Sequence, residues 1–458
     1  MFYRRFLVVV GILLTCSALL FSNAGAQSLS VNQYSSMERI SAGGDGSQGG
    51  GTTSSISSDG RFIAFESIAS DLLPGTIDDS RDVIIRDRNV DRLFVRASVS
   101  YNQQITYNPG IYSSPPVISG DGLSVAFMSM AEDLVEDDEN GLPDIFVHKS
   151  DGSTTLVSVG RNGNPANGDS YMPAISADGR YVVFQSFANN LTNNDRNRSI
   201  DIYLRDLVEQ ETELISITEA GLQGDDEAEY GFSSVAVSDD GRYVAFSYDR
   251  LPIPGHPSNG GPYVYVRDRQ VNSLRMIAQG QYPTLSGNGR YLVFLSSDQL
   301  VLEDQNNSLD VYLYDQQLQR FERISVTHSG AEVPDQWITS APDVSADGRY
   351  VVFQSSYDGL TPADNNDLSD IFLRDRMLNK TILISGGVNG TSGNGESYHP
   401  RINDEGTLVT FSSWASDLVE NDTNDRVDVF AMNLSELGLV PGQVIEAQLF
   451  LPIMGSVP

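Results

Sequence analysis

SADGRYVVFQS spans residues 176–186 and returns unchanged at 345–355. Related phrases are ISSDGRFIAFES (56–67), ISGDGLSVAFMS (118–129), VSDDGRYVAFSY (237–248), LSGNGRYLVFLS (285–296) and INDEGTLVTFSS (402–413). Their shared glycine falls at positions 60, 122, 179, 241, 289, 348 and 406. A unit that recurs about every sixty residues is the mark of a repeat architecture.

Each unit reads as four strands. In the third, PAIS (173–176) comes first, and Asp178-Gly179 then turns the chain, because glycine accepts a positive φ without a Cβ clash. RYVVFQS (180–186), rich in β-branched and aromatic residues, forms the second strand. DIYLRD (201–206) and TELISI (212–217) form the third and fourth. No segment sustains a helical period. One four-stranded sheet cannot bury both of its faces, but seven arranged radially can, each against its neighbours.

The ends predict closure. Unit seven stops after its third strand, VDVFAMN (427–433), while MERISAG (37–43) precedes unit one and matches the fourth strand FERISV (321–326) of unit five. The expected fold is therefore all-β: a seven-bladed β-propeller whose N-terminal strand completes the last blade and removes a free edge.

The pattern P-x-[IV]-S-x-D-G-R-x-[IVL]-x-F-x-S followed by D-[IV]-[FY]-[LV]-x-D resembles the WD40-like PD40 repeats of TolB-type β-propellers. The resemblance covers residues 37 to about 434 and implies the propeller fold. It says little about function, because one fold hosts many functions. TolB carries an α/β domain before a six-bladed propeller. Here seven units are counted, and only about ten residues separate the expected cleavage site from Met37, so no role in the Tol-Pal system is carried over.

Outside the repeats, Arg4 and Arg5 precede a mostly apolar run, Phe6 to Phe21, and Ala24-Gly25-Ala26 offers small residues for cleavage. Residues 1–26 thus read as a secretory signal peptide, 27–36 as a short N-terminal segment, 37–434 as the propeller and 435–458 as a C-terminal tail. Cys16 is the only cysteine, and Thr15 before it argues against a lipoprotein anchor. After cleavage no disulfide and no thiolate site is possible, and no later segment is apolar enough to span a membrane. The product is expected to be extracellular or periplasmic, and monomeric. The tail contains LPIMG, but Met replaces the Thr of a sortase signal and no membrane segment follows.

The formal charge is −32, or −34 without Arg4 and Arg5, and Lys149 and Lys380 are the only lysines. Such a surface repels phosphate backbones and excludes nucleic acid as the expected partner. It suits cations or basic partners.

Loops between second and third strands share one face of the ring with the blade-to-blade connections. Five of them carry D-x-N-x-x-x-D: Asp138-Asn140-Asp144, Asp195-Asn197-Asp201, Asp304-Asn306-Asp310, Asp364-Asn366-Asp370 and Asp422-Asn424-Asp428. Unit one has a looser form, Asp78 with Asp82, and unit four reads HPSNGGPYVYV (256–266) instead. Two readings stand. Alternating Asp and Asn oxygens suit a hard cation such as Ca²⁺, although a third acidic position and a terminal bidentate Glu are missing. The same residues also cap turns with their own side chains. Two carboxylates ~5 Å apart repel by roughly 1 kcal/mol in water and ~3 kcal/mol at an effective dielectric of 20, which favours cation uptake.

The connections RNGNPANGDSYMP (161–173) and GVNGTSGNGESYHP (387–400) are parallel designs that place Tyr171 and Tyr398 in equivalent positions. These aromatics can grip a sugar or peptide, or pack on the next blade. The position before [IV]-S in the innermost strands reads Ser55, Val117, Ala174, Ala236, Thr284, Asp343 and Arg401. Asp343 and Arg401 either bind a ligand near the channel or satisfy each other. His399 lies at the mouth, but its counterpart in unit three is Met172. No H-E-x-x-H, G-x-S-x-G or phosphate loop is present.

Two functions follow as expectations. The first is a secreted, non-enzymatic propeller that binds a protein, peptide or glycan on its acidic loop face, with Ca²⁺ in the loops. The alternative is an extracellular polysaccharide lyase or hydrolase using Asp343, Arg401, Tyr398 and His399 at the channel mouth. Clustering of those four in one open cavity separates the two.

Overall fold

The computed structural model describes residues 37–439, apart from 44–48, 70–71, 74–80, 91–92, 103–113, 198, 225–233, 250, 254–260, 335–337, 339 and 438. The expected signal peptide, most of the tail, Asp78 and His256 lie outside the described residues.

The strands form seven antiparallel sheets of four. Blade 1 holds β2 (Thr52–Ile56), β3 (Phe62–Ser67), β4 (Asp82–Asp87) and β5 (Leu93–Arg96). Blade 2 holds β6 (Val117–Ile118), β7 (Ser124–Ser129), β8 (Asp144–Lys149) and β9 (Thr154–Leu156). In blade 3 the order is β10 (Ser170–Ile175), β11 (Tyr181–Ser186), β12 (Asp201–Asp206) and β13 (Glu211–Leu214). Blade 4 consists of β14 (Val235–Val237), β15 (Tyr243–Tyr248), β16 (Tyr263–Asp268) and β17 (Ser273–Gln279). Next, in blade 5, come β18 (Gln281–Leu285), β19 (Tyr291–Ser296), β20 (Asp310–Asp315) and β21 (Arg320–Arg323). Blade 6 contains β22 (Asp343–Val344), β23 (Tyr350–Ser355), β24 (Asp370–Asp375) and β25 (Lys380–Leu383). Blade 7 takes β26 (Ser397–Ile402), β27 (Leu408–Ser413) and β28 (Asp428–Asn433), and its outermost strand is β1 (Met37–Arg39).

β1 pairs with β28 in the register Met37↔Met432, Glu38↔Ala431, Arg39↔Phe430, and Ile40 N donates to Val429 O at 2.7 Å. The chain ends therefore meet in blade 7, and the ring is closed.

Seven hydrophobic clusters fill the seven interfaces between adjacent blades, including the one between blades 7 and 1. The second strand explains how. Successive side chains point to opposite faces, so Val182 and Phe184 join the cluster shared with blade 2 while Val183 joins the one shared with blade 4. The repeated phenylalanine (65, 127, 184, 246, 294, 353 and 411) always faces the preceding blade. Both faces are buried, which is why these strands read as continuous apolar runs. Each Phe contributes about 2–3 kcal/mol of burial.

The repeated phrase itself is a hydrogen-bond circuit. In blade 3, Ser176 Oγ donates to Asp178 Oδ1 at 2.7 Å, and Asp178 Oδ1 accepts Arg180 N at 3.0 Å. Ser176 Oγ also accepts Tyr181 N at 2.9 Å. The Arg180 guanidinium forks onto Asp206, at the end of the third strand, through Nε (3.0 Å) and Nη2 (2.7 Å). The same fork joins Arg61–Asp87, Arg242–Asp268, Arg290–Asp315 and Arg349–Asp375. Gly241 shows why the glycine is required. Its φ is +69°, and a Cβ there would sit 2.1 Å from Tyr181 Cδ2 of the preceding blade.

A second arginine couples blades. Arg269 pairs with Glu213 of blade 3 (2.8 Å), Arg376 with Glu322 of blade 5 (2.6 Å) and Arg88 with Glu38 of β1 (3.1 Å). Glu38 thus does for blade 7 what Glu322 does for blade 5, as the shared ERIS implies. Two boundaries differ from expectation. β10 begins at Ser170 and carries a bulge between Tyr171 and Ala174, and the regular ladder of β13 ends at Leu214.

Candidate functional site

The innermost strands surround a central cavity of ≈ 230 Å³, lined among others by Ser55, Val117, Ala174, Ala236, Thr284, Asp343 and Arg401. Every residue read as preceding [IV]-S therefore faces the channel. Several of them fasten one blade to the next. Ser55 Oγ accepts Ile118 N at 2.9 Å, and Thr284 Oγ1 donates to Pro342 O at 2.8 Å. Asp343 belongs to the same series: Oδ2 accepts Ile402 N of blade 7 and Oδ1 accepts Val344 N, both at 3.0 Å. Its carboxylate is thus held by two backbone amides, while the Arg401 guanidinium donates to Pro400 O at 3.0 Å. Burial pushes the Asp343 carboxyl up to about 6, against the pull of Arg401.

Tyr398 and His399 do not line this cavity. Their rings meet edge to face at 5.2 Å. Burial, with Arg401 nearby, drops the His399 imidazole to about 4, so it is neutral at physiological pH. Tyr171 is buried, donates to Asp169 at 2.5 Å and meets Phe187 edge to face at 6.5 Å. Of the four residues named for an enzyme, the cavity brings together two.

The loop face has aromatics that the sequence reading passed over. Phe187 and Trp414 follow the second strands of blades 3 and 7, and are 46% and 55% exposed. The parallel connections hold them alike: Phe187 N donates to Asp169 O and Trp414 N to Glu396 O, both at 2.9 Å. Their position directly after F-x-S was the available signal.

The acidic loops share a frame. The last Asp begins the third strand and accepts a hydroxyl from the serine after the fourth strand. These pairs are Ser98–Asp82, Ser158–Asp144, Ser216–Asp201, Ser325–Asp310, Ser385–Asp370 and Ser41–Asp428. Four of the asparagines close a turn. Oδ1 of Asn140, Asn306, Asn366 and Asn424 accepts the backbone amide two residues on, at 2.8–3.0 Å. Their amide groups face inward: Asn140 Nδ2 donates to Asp144 at 2.6 Å and Asn424 Nδ2 to Asp428 at 2.8 Å. Asn197 Nδ2 donates to Gly224 O at 3.4 Å. In four loops the carboxylates, rather than the amide oxygens, are what remain to meet a cation.

What lies beside the carboxylates differs by blade. Arg323 of blade 5 reaches Asp304 (3.3 Å), Asp310 (3.9 Å) and Glu332 (2.8 Å), and the Tyr312 hydroxyl donates to Asp304. Arg39 of β1 reaches Asp422 (2.7 Å) and Asp428 (3.9 Å). Arg96 stands 3.4 Å from Asp82. Blade 3 uses neutral donors: Gln223 Nε2 bridges Asp195 (3.3 Å) and Asp201 (3.2 Å), and the Tyr203 hydroxyl donates to Asp195 at 2.8 Å. Burial raises Asp144 and Asp201 to about 7 and Asp428 to about 6. In blade 6, burial and neighbouring Asp charges raise Asp370 to about 8 and Asp364 to about 6. The arginine at this position could have been read from R-I-S and R-A-S against L-V-S and L-I-S. Gln223, on a blade-to-blade connection, left no repeated signal.

Among the described residues no group of three or more His, Cys, Asp or Glu stands placed to hold a metal ion, and no helix is long and apolar enough to cross a membrane. No family model and no curated protein matches the sequence. Solved structures do. The β-propeller domain of the Trilobed protease from Pyrococcus furiosus, described as having an open velcro topology, aligns at TM-score 0.50 and 12% identity, over 83% of this chain and 94% of that one. Oligogalacturonate lyase from Vibrio parahaemolyticus aligns at 0.49 and 11%, over 83% and 89%. TolB from Acinetobacter baumannii aligns at 0.39 and 14%, over 78% and 77%. At these identities the likeness concerns architecture alone: the chain is a closed seven-bladed β-propeller, similar in fold to the propeller domain of the Trilobed protease.

Proposed function

We propose that the chain is a secreted, non-enzymatic ring scaffold that binds a protein, peptide or glycan partner on its loop face, with Ca²⁺ held in acidic loops of that face. One observation carries the reading: the carboxylate an enzyme at the channel mouth would use is already engaged. Asp343 fastens blade 6 to blade 7, its two oxygens accepting the Ile402 and Val344 amides. Exposed aromatics instead stand on the loop face, at Phe187 and Trp414. Aromatic residues on a polar rim supply contact area at small entropic cost.

Peptide and glycan arrays probed with the full chain, with and without calcium, test the proposal. Binding lost in Trp414→Ala or Phe187→Ser, with an unchanged melting temperature, supports it. Polysaccharide cleavage that disappears in a folded Asp343→Asn variant would replace it with the lyase or hydrolase reading.

A further inference from the structure

Blade 6 departs from the other acidic loops in what meets its carboxylates. Asp364 Oδ1, Asp364 Oδ2 and Asp370 Oδ2 are all buried without a hydrogen-bond partner, and the Thr361 hydroxyl in the same loop is likewise buried and unpartnered. Asp364 is 5% exposed and Asp370 0%. The devices that serve other blades are missing one by one. Where blades 5 and 7 place Arg323 and Arg39, blade 6 has Leu383. Phe372 stands where blades 3 and 5 have the tyrosines that donate to the first Asp. The Asn366 amide donates to Gly393 O at 2.8 Å. A third carboxylate, Asp358, is close enough to raise both neighbours, and its oxygens accept Asp367 N at 3.2 Å.

Buried carboxylate oxygens without donors are costly, and proteins resolve them with a counter-charge or a metal. The chain itself marks where the counter-charge belongs, since Arg323 and Arg39 each insert a cation between the equivalent two aspartates. We infer that the blade 6 loop is a divalent-cation site of the Ca²⁺ class, held by Asp364 and Asp370, and that arginine is the built-in substitute for that ion in blades 5 and 7. Calcium accepts carboxylate, hydroxyl and carbonyl oxygens with water completing the shell, so the two carboxylates with the unpartnered Thr361 hydroxyl are a workable set. This inference rests on the calcium part of the proposed function and sharpens it: one loop takes the ion, because in blade 6 both aspartates keep a buried unpartnered oxygen, whereas in blade 2 only Asp138 Oδ1 does and Asp144 is met by Asn140 and Ser158.

Equilibrium dialysis of the chelator-treated full chain against Ca²⁺ tests it. The expected stoichiometry is one ion for the parent chain, none for Asp364→Asn/Asp370→Asn and none for Leu383→Arg, with the melting temperature raised by Ca²⁺ only in the parent. Asp304→Asn is the control and keeps the ion. Should Leu383→Arg not fold, the isosteric double Asn variant decides alone. No bound ion in the parent refutes both this site and the calcium reading, and leaves the scaffold reading to its own test. Several bound ions, or one ion that survives both blade 6 variants, refute this site but keep calcium on the face.

Discussion

Gly241→Ala perturbs one interface between blades and little else. Gly241 has φ +69°, and an added Cβ would stand 2.1, 2.6 and 2.7 Å from Cδ2, Cγ and Cε2 of Tyr181. The left-handed backbone alone costs an alanine about 1–2 kcal/mol. The ring cannot yield cheaply, because Arg180 and Arg269 lie over it at 4.9 and 4.8 Å. Forced overpacking adds roughly 1–3 kcal/mol. Gly152→Ala is the matched control, with φ +87° and nothing within 4 Å of its added Cβ. The difference between the two variants isolates the blade-to-blade contact at about 1–3 kcal/mol. Urea unfolding followed by circular dichroism reads it as a lower midpoint at constant slope. Tyr181→Ala should then rescue part of the Gly241→Ala loss in a double-mutant cycle. Equal midpoints for Gly241→Ala and Gly152→Ala would refute the claim that this glycine exists to admit the neighbouring ring.

Acid tests the arginine forks. Hydrogen bonds from Arg180 hold the Asp206 carboxyl at about 2, and Arg61 and Arg242 hold Asp87 and Asp268 below the ordinary range. A lowered folded-state pKa gives stability that is present above about pH 4 and lost as pH falls toward 2. Arg180 is a third exposed, so solvent screens the fork; Arg180→Gln should flatten the pH 4-to-2 decline. Arg39→Leu leaves Asp422 and Asp428 buried without their cation and should cost about 3 kcal/mol in unfolding free energy. Asp343→Ala strands the Ile402 and Val344 amides and should cost about 1–3 kcal/mol; an unchanged melt would show that Asp343 is not a fastener.

The ring was legible because its code is local and repeated. Ser, Asp, Gly and Arg of the repeated phrase bond within one hairpin and its neighbouring strand, so each copy carries its full reason. Closure was legible from Met37–Ser41 because Glu38, Arg39 and Ser41 repeat the roles of Glu322, Arg323 and Ser325. The candidate sites were less so. Asp343 reads like a ligand group, yet its partner Ile402 is 59 residues away and is set by blade spacing. The acidic loops look equivalent in sequence. Their difference lies in Arg39, Gln223, Arg323 and Leu383, which stand on other strands and connections.

A cysteine pair across the closing seam tests the central claim most directly. Ile40 N bonds to Val429 O, so Met37 and Met432, opposite each other, form a non-hydrogen-bonded pair whose Cα atoms should lie about 4.5 Å apart, within disulfide reach. In a Cys16→Ser background, Met37→Cys/Met432→Cys should oxidise to a closed chain that migrates faster on non-reducing gels, and reduction should reverse it. Failure of the folded double variant to form that link under oxidising conditions would contradict a ring fastened by its N-terminal strand.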